Sequence, residues 1–231
     1  INKSIQYFKR ASDCGFVKAQ YELGYIYEEI DMEKAIYFYE LAAKNNDEES
    51  LFLLGVIYES GEFVSRDIDK AIYYYSLAAD KNYVKAQYNL GFLYHNSKYI
   101  EVDINKAIHY YKMAADQNFD KAQYNLGMIY LKGEYVAFDI SKAIKYFKLA
   151  ADQNNIRAQF NLGLIYYKGD HVMIDMKKAI HYLTLAANQN DSDSQYNLGV
   201  IYLLNNYVKH DIEKAIHYFT LSAKLNNSDA Q

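Results

Sequence analysis

The heptapeptide KAQYNLG stands at residues 85–91 and again, unchanged, at 121–127. With small substitutions it returns as KAQYELG from Lys18, RAQFNLG from Arg157, DSQYNLG from Asp193 and, more loosely, ESLFLLG from Glu49. The glycines closing these copies are Gly24, Gly55, Gly91, Gly127, Gly163 and Gly199, a period of 31 once and 36 thereafter. A recurring period of that size marks stacked supersecondary units, each unable to bury its apolar side without a neighbour. The 231 residues are therefore expected to form one repeat array over 1–231 rather than separate globular domains.

Each repeat carries two helical patterns. Around the heptapeptide, Ala86, Leu90, Leu93 and Tyr94 recur at helical spacing, and from Ile104 onward Ala107, Ile108, Tyr111, Ala114 and Ala115 do the same. An aspartate opens every second helix, at Asp31, Asp67, Asp103, Asp139, Asp175 and Asp211, where a carboxylate accepts from an orphan N–H and favours the positive helix end. Gly15, Asn46, Asn82, Asn118, Asn154, Asn190 and Asn226 follow the last turns, as a left-handed C-terminal cap requires. These signals predict a leading helix at 3–13, six helix pairs at about 18–44, 49–81, 85–117, 121–153, 157–189 and 193–225, and the start of a further repeat at 228–231. Beginning and ending within a repeat, the sequence reads as a fragment of a longer chain.

Glycine inside a helix costs about 1 kcal/mol relative to alanine, so a compensating contact is expected at the six repeated glycines. The spacing suggests close approach to the small-residue stripe of the second helix, such as Ala107 and Ala114. The connection between helices repeats as GEFVSRD from Gly61, SKYIEVD from Ser97, GEYVAFD from Gly133, GDHVMID from Gly169 and NNYVKHD from Asn205. It is expected to tuck its Val or Ile beneath itself. In the first pair EEIDMEK, from Glu28, joins the helices five residues sooner.

Alanine, then Leu-Gly-x-x-Tyr, a Gly-x-x-Val-x-x-Asp loop, and Lys-Ala-Ile followed by aromatics and an Ala-Ala pair together resemble the Sel-one-like repeat, a relative of the tetratricopeptide repeat. The resemblance spans essentially the whole chain. The loop proline common in that family is absent and its second-helix tryptophan is replaced, since the chain has no Pro and no Trp. It implies an all-α, right-handed α/α superhelix of antiparallel helix pairs, with the first helix of each pair on the concave face.

Catalysis needs unlike groups converging on one point, and a chain whose polar residues recur with the period offers little such asymmetry. No phosphate loop, nucleophile elbow or zinc motif occurs, so neither an enzyme nor a cofactor is expected. His109, His181 and His217 recur at one position of three second helices, at least a whole repeat apart and beyond shared metal coordination. One cysteine, Cys14, excludes an intrachain disulfide framework and, with no signal-like apolar run, favours a cytoplasmic setting. A net charge of −4 argues for neither nucleic acid nor membrane, and no apolar run reaches the roughly 20 residues of a membrane span. Oligomeric state is not addressed by the pattern.

Charge is nonetheless uneven. Residues 1–62 hold 12 Asp and Glu against 6 Lys and Arg, and the rest 17 against 19. Glu28, Glu29, Glu48, Glu49 and Glu59, beside the shortened connection and the divergent first helix at 49–55, are either a patch for a basic, apolar partner or a solvated charge run. The Tyr-Asn pair of the heptapeptide raises a second alternative. With Leu90 and Leu93 turned toward the second helix, Tyr88, Asn89 and Phe92, Tyr124, Asn125 and Met128, Phe160 and Asn161, and Tyr196 and Asn197 fall on other sides of the first helices. They form either a peptide-binding row, in which amides read an extended backbone, or packing between repeats. The resemblance adds that tetratricopeptide grooves use Asn in the first way. The expected function is a non-catalytic scaffold or adaptor holding a protein or peptide in its concave groove. The alternative is a regulatory or targeting segment of a larger enzyme whose catalytic domain lies outside this sequence.

Overall fold

A computed structural model describes residues 2–204 and 208–225. The helix end expected at Asn226, the restart at 228–231 and the first three residues of NNYVKHD lie outside the described residues. Among those described, every regular element is a helix: α1 (Asn2–Asp13), α2 (Val17–Tyr27), α3 (Met32–Lys44), α4 (Glu48–Ser60), α5 (Ile68–Asp80), α6 (Val84–Asn96), α7 (Ile104–Asp116), α8 (Asp120–Lys132), α9 (Ile140–Ala151), α10 (Ile156–Lys168), α11 (Met176–Ala187), α12 (Ser192–Leu204) and α13 (Ile212–Lys224). Contacts divide the chain into two compact units, residues 1–117 and 118–231. The first holds α1 and the pairs α2–α3, α4–α5 and α6–α7; the second holds α8–α9, α10–α11 and α12–α13. Within each unit the main contacts join helices adjacent in sequence, the pattern of an α-solenoid.

Local chemistry fixes each helix end. The side chains of Asp31, Asp67, Asp103, Asp139, Asp175 and Asp211 accept from the backbone N–H three residues on, as from Lys34 at 3.2 Å and Lys142 at 2.9 Å. At the other end Asn46, Asn82, Asn118, Asn154 and Asn190 have φ between 60 and 67°. There the chain turns back on its own helix: Asn82 N–H donates to Ala79 O (2.9 Å) and Tyr83 N–H to Ala78 O (3.1 Å), satisfying carbonyls the helix leaves open.

The backbone N–H of each capping Asp also donates to the carbonyl of the recurring Tyr near the end of the first helix: Asp67 to Tyr58, Asp103 to Tyr94, Asp139 to Tyr130, Asp175 to Tyr166 and Asp211 to Tyr202, at 2.9 to 3.0 Å. In the first pair Asp31 N–H reaches Tyr27 O at 2.8 Å, so the same bond survives with five residues fewer between its ends. Length can vary because this bond, not the loop, sets where the second helix starts. The expected tuck of the loop is present: Val64, Ile100, Val136, Val172 and Val208 pack against the cores beneath them.

The helical glycines differ from expectation. The nearest atoms to a Cβ built at Gly24, Gly55, Gly91, Gly127 and Gly199 belong to the rings of Tyr39, Tyr75, Tyr111, Phe147 and Phe219, at 2.5 to 2.6 Å, and at Gly163 to Leu183 at 2.6 Å. Alanines of the second helix are buried, but they are not what the glycines admit. A planar ring needs more room than a methyl group, and the missing Cβ supplies it. Tyr39, Tyr75, Tyr111 and Phe147 are 0% exposed, and burying one such side chain contributes roughly 1.5–3 kcal/mol, enough to offset the helical glycine.

Gln in the heptapeptide has a structural role that the repeat spacing does not announce. Gln87, Gln159 and Gln195 are buried and donate Nε2–H to the carbonyls of Ala79, Ala151 and Ala187 at the end of the preceding helix, at 3.1 to 3.2 Å. Gln87, Gln123 and Gln159 accept through Oε1 from Nε2 of Gln117, Gln153 and Gln189, 30 residues on, at 2.7 to 2.9 Å. One amide therefore joins three successive helices. Where it is replaced, its partner changes too: Leu51, 2% exposed, stands in place of Gln87, and Lys81 in place of Gln117. The one signal in the sequence is Gln87 standing three residues before Leu90 on an apolar stripe.

Gly127→Ala should lower stability by about 1–3 kcal/mol through overpacking against Phe147, despite alanine's better helix propensity, measured by urea denaturation; an unchanged midpoint would contradict the contact. Gln159→Leu should cost about 1–3 kcal/mol by stranding polar groups, and adding Gln189→Lys to it should cost less than Gln189→Lys alone in the wild-type chain. Strict additivity would show that the amide pair is not coupled.

Candidate interaction surface

The first helices, α2, α4, α6, α8, α10 and α12, present residues that pair with the second helix only in part. Their recurring tyrosines form one layer. Tyr27, Tyr58, Tyr94, Tyr130, Tyr166 and Tyr202 stack on Phe38, Tyr74, Tyr110, Tyr146, Tyr182 and Tyr218, centroids 5.6 to 6.1 Å apart and planes within 2 to 10°. Over each ring lies the ammonium of Lys34, Lys70, Lys106, Lys142, Lys178 or Lys214, 4.8 to 5.7 Å from the centroid, and each Lys pairs with its capping Asp. Hydrogen bonding to Lys34, Lys142, Lys178 and Lys214 holds the carboxyls of Asp31, Asp139, Asp175 and Asp211 below their ordinary range. This layer is structural, a cation and a ring closing the mouth of each hairpin.

The row formed by the Tyr-Asn pair lies elsewhere on the first helices. Tyr88, Tyr124 and Tyr196 rest on Tyr111, Phe147 and Phe219, centroids 5.7 to 5.9 Å apart, and Phe160 packs against the core of the second unit. All four are half-buried, as are Asn89, Asn125, Asn161, Asn197 and Met128, whereas Phe92 is exposed. The amides differ in their bonds. Asn89 Nδ2 donates to Tyr75 Oη in the preceding hairpin at 3.1 Å. Asn161 and Asn197 donate to their own helix, to Arg157 O at 2.8 Å and Asp193 O at 2.7 Å, which uses one of the two donors on each.

In the second unit part of this row borders a cleft of about 320 Å³. Leu131 of α8, Ile140 of α9 and Leu164, Ile165 and Asn161 of α10 line it, with Lys168, Asp170 and His171 at one side. Apolar walls with a few polar groups at the rim suit a side chain from a partner better than a solvated ion.

The acidic residues of the first unit have two environments. Glu28 accepts from Tyr39 Oη and Glu59 from Tyr75 Oη, both at 2.6 Å, while Glu48 and Glu49 occupy the first turn of α4 behind the capping Asp47, where negative charge is favoured. Burial foremost, reinforced by these carboxylates, pushes the Tyr39 and Tyr75 phenols far above their ordinary range. The equivalents in the second unit carry no carboxylate: Leu131 with Phe147, Tyr167 with Leu183 and Leu203 with Phe219. His109, His181 and His217 are exposed and meet Tyr110, Tyr182 and Tyr218 edge-on, centroids 5.1 to 5.3 Å apart. Among the described residues no helix is long and apolar enough to cross a membrane.

The Sel1 repeat model matches seven consecutive stretches, 1–16, 17–47, 48–83, 84–119, 120–155, 156–191 and 192–227. The chain belongs to the Sel1 repeat family. Members of that family generally serve as scaffolds for protein–protein interaction and are generally non-catalytic. A protective antigen of uropathogenic Escherichia coli with the same repeat fold is 29% identical, with a TM-score of 0.87 over 98% of this chain and 50% of that one. A Sel1 repeat protein from Oxalobacter formigenes is likewise 29% identical, with a TM-score of 0.83 over 99% of this chain and 68% of the other. The rat DAP3-binding cell death enhancer 1 is 37% identical over 68 residues, 28% of this chain and 13% of its own length. This chain thus spans half of the E. coli antigen and a small part of the rat protein.

The phenol environment gives a pH dependence with a definite sign. A phenol whose folded pKa is raised keeps its proton in the native state after the unfolded state has lost it, so stability is full below the ordinary pKa of about 10 and falls as pH rises above it. Alkaline unfolding, followed by circular dichroism, should therefore begin near pH ~10 and start later in Tyr75→Phe/Glu59→Leu, which installs the pairing found at Phe147 and Leu131. An unchanged alkaline midpoint would remove Tyr75 from the transition.

Proposed function

We propose that this Sel1 repeat chain is a non-catalytic adaptor that holds an extended segment of a protein partner in a groove lined by its first helices. The cleft beside Asn161 carries the reading. It is an apolar recess flanked by an amide, which suits an apolar side chain whose neighbouring backbone group bonds to that amide. Asn125 and Asn161 hold the same place in α8 and α10, so an extended segment would meet equivalent amides at a regular interval. The half-buried rings of Tyr124 and Phe160, seated on the hairpin core, add apolar area with little rotamer freedom left to lose on binding.

Peptides selected from a random library on the full chain provide the probe. Asn125→Ala/Asn161→Ala should weaken their binding at least ~10-fold, about 1.4 kcal/mol, while the melting temperature stays nearly unchanged. The small structural effect follows because Asn161 bonds its own helix at Arg157, a contact that adds little to helix stability. Leu164→Asp, placing a carboxylate in the recess, should abolish binding of the same peptides. A double variant that loses stability but binds normally in its folded fraction would assign the amides to packing instead.

A further inference from the structure

Within each unit the connection of one hairpin touches the connection of the next. In the first unit Arg66, the residue before the capping Asp67, reaches Tyr99: its guanidinium carbon lies 4.6 Å from the ring centroid and Nη1 donates to the phenolic Oη. Backbone carbonyls hold that guanidinium in place. Nε donates to Glu59 O at 2.9 Å and Nη2 to Ser60 O at 2.7 Å, both at the end of α4, and Gly61, with φ of 65°, has no Cβ to collide with the Arg66 Cβ. Lys98 brings a second cation to the same ring, its ammonium 5.1 Å from the centroid. Among the described residues neither Arg66 nor Lys98 forms an ion pair. In the second unit the residues at the same two positions, Phe138 and His171, meet ring on ring at 4.6 Å. The contact between connections is thus kept where neither guanidinium nor hydroxyl is present, and the first unit adds to it a phenol set between two cations.

We propose that the Tyr99 hydroxyl is a phosphorylation site whose phosphate is held by Arg66 and Lys98, tying the α4–α5 and α6–α7 hairpins together. Tyr99 differs from the tyrosines of the core. Tyr39 and Tyr75 are 0% exposed and donate their hydroxyl protons to Glu28 and Glu59, so an enzyme cannot reach them and a phosphate there would face a carboxylate. Tyr99 is 46% exposed, stands in the irregular stretch between α6 and α7, and its oxygen accepts from a cation. The donor is a nucleoside triphosphate: the phenol gives its proton to the kinase's base, Oη bonds to the γ-phosphorus, and the nucleoside diphosphate leaves. The product carries a charge of about −1.5 to −2 at pH 7 and three acceptor oxygens. A guanidinium has five N–H donors, and Arg66 uses three in the contacts above, so two remain for phosphate oxygens besides the one already at Oη. Its carbonyl contacts fix Arg66 beforehand, and little side-chain freedom is lost when those bonds form. Glu62 and Glu101, in the same two connections, are exposed, where water and salt screen their repulsion of the new charge. The assignment does not rest on the Asn161 cleft, which belongs to the other unit.

The test incubates the full chain with a broad-specificity tyrosine kinase, ATP and magnesium, and maps the product by mass spectrometry, with a peptide of residues 95–105 as substrate control. Tyr99 should carry phosphate in the folded chain, and Tyr99→Phe should remove that site alone. Amide hydrogen exchange across 61–67 and 97–103 should slow at least ~10-fold on phosphorylation, the effect of one charge-assisted bond. In Arg66→Gln/Lys98→Gln the phosphate should still be added, and exchange should not slow. Phosphotyrosine incorporated at position 99 during synthesis gives the same exchange readout whichever kinase is used. Phosphate on the peptide, or on other tyrosines of the chain, with Tyr99 of the folded chain left bare would overturn the site. Exchange that is unchanged or faster in the phosphorylated chain would overturn the clasp, as would slowing of equal size in Arg66→Gln/Lys98→Gln.

Discussion

A side chain pressed against a helical glycine is the contact on which each hairpin depends. Tyr111 can lie against α6 only because Gly91 has no Cβ, and that approach carries Leu90 and Leu93 into the core. The glycine weakens the first helix by itself, so the interaction couples secondary to tertiary structure: the helix is worth forming because the ring buries against it. The offset from glycine to the side chain it admits is 20 residues in five hairpins, four times to a ring and once to Leu183, and 15 in the first, from Gly24 to Tyr39. The contact is kept while the connection varies, as is the bond from the capping Asp to the tyrosine carbonyl.

Around this contact the repeats differ by substitutions that travel together. Glu59, Tyr75 and Asn89 form a hydrogen-bonded chain in the first unit, whereas Leu131 and Phe147 occupy the places of Glu59 and Tyr75 in the second. Leu51 with Lys81 likewise stands in for the pair Gln87 and Gln117. A buried donor or acceptor left alone is costly, and replacing both partners by groups that need no bond avoids the penalty. In these two cases a change on one helix is matched on another; at Gln195 it is not, since Leu225 stands in place of Gln189 and the Gln195 Oε1 is buried without a hydrogen-bond partner.

The surfaces left over differ for the same reason. Once each hairpin has its capping Asp bonded and its recurring tyrosine stacked, what remains on the first helices is free to diverge. In the first unit it is Tyr25, Ile30 and a set of carboxylates; in the second it is Leu131, Leu164, Asn161 and Lys168. A scaffold needs this separation, because residues that recognise a partner can then change without disturbing the contacts that stack the helices.

Most of the fold is legible in the amino-acid sequence. The helix pairs, the capping role of Asp103 and its equivalents, the left-handed turns at Asn82 and its equivalents, and the inward Val of each loop are local or nearest-neighbour effects, written into spacing and residue type. The glycine contact is legible only as a need for some close neighbour; that the neighbour is a ring rather than an alanine depends on how two helices rotate against each other, which period alone does not specify. The glutamine ladder is hidden because its partners stand 8 and 30 residues away. The fate of the Asn row is equally beyond the reach of spacing: Asn89, Asn161 and Asn197 hold one sequence position, yet the first reaches a tyrosine of the preceding hairpin and the others their own helix. Local propensity is the same for all three. The choice is made by whether a buried hydroxyl lies within reach, and only the tertiary structure decides that.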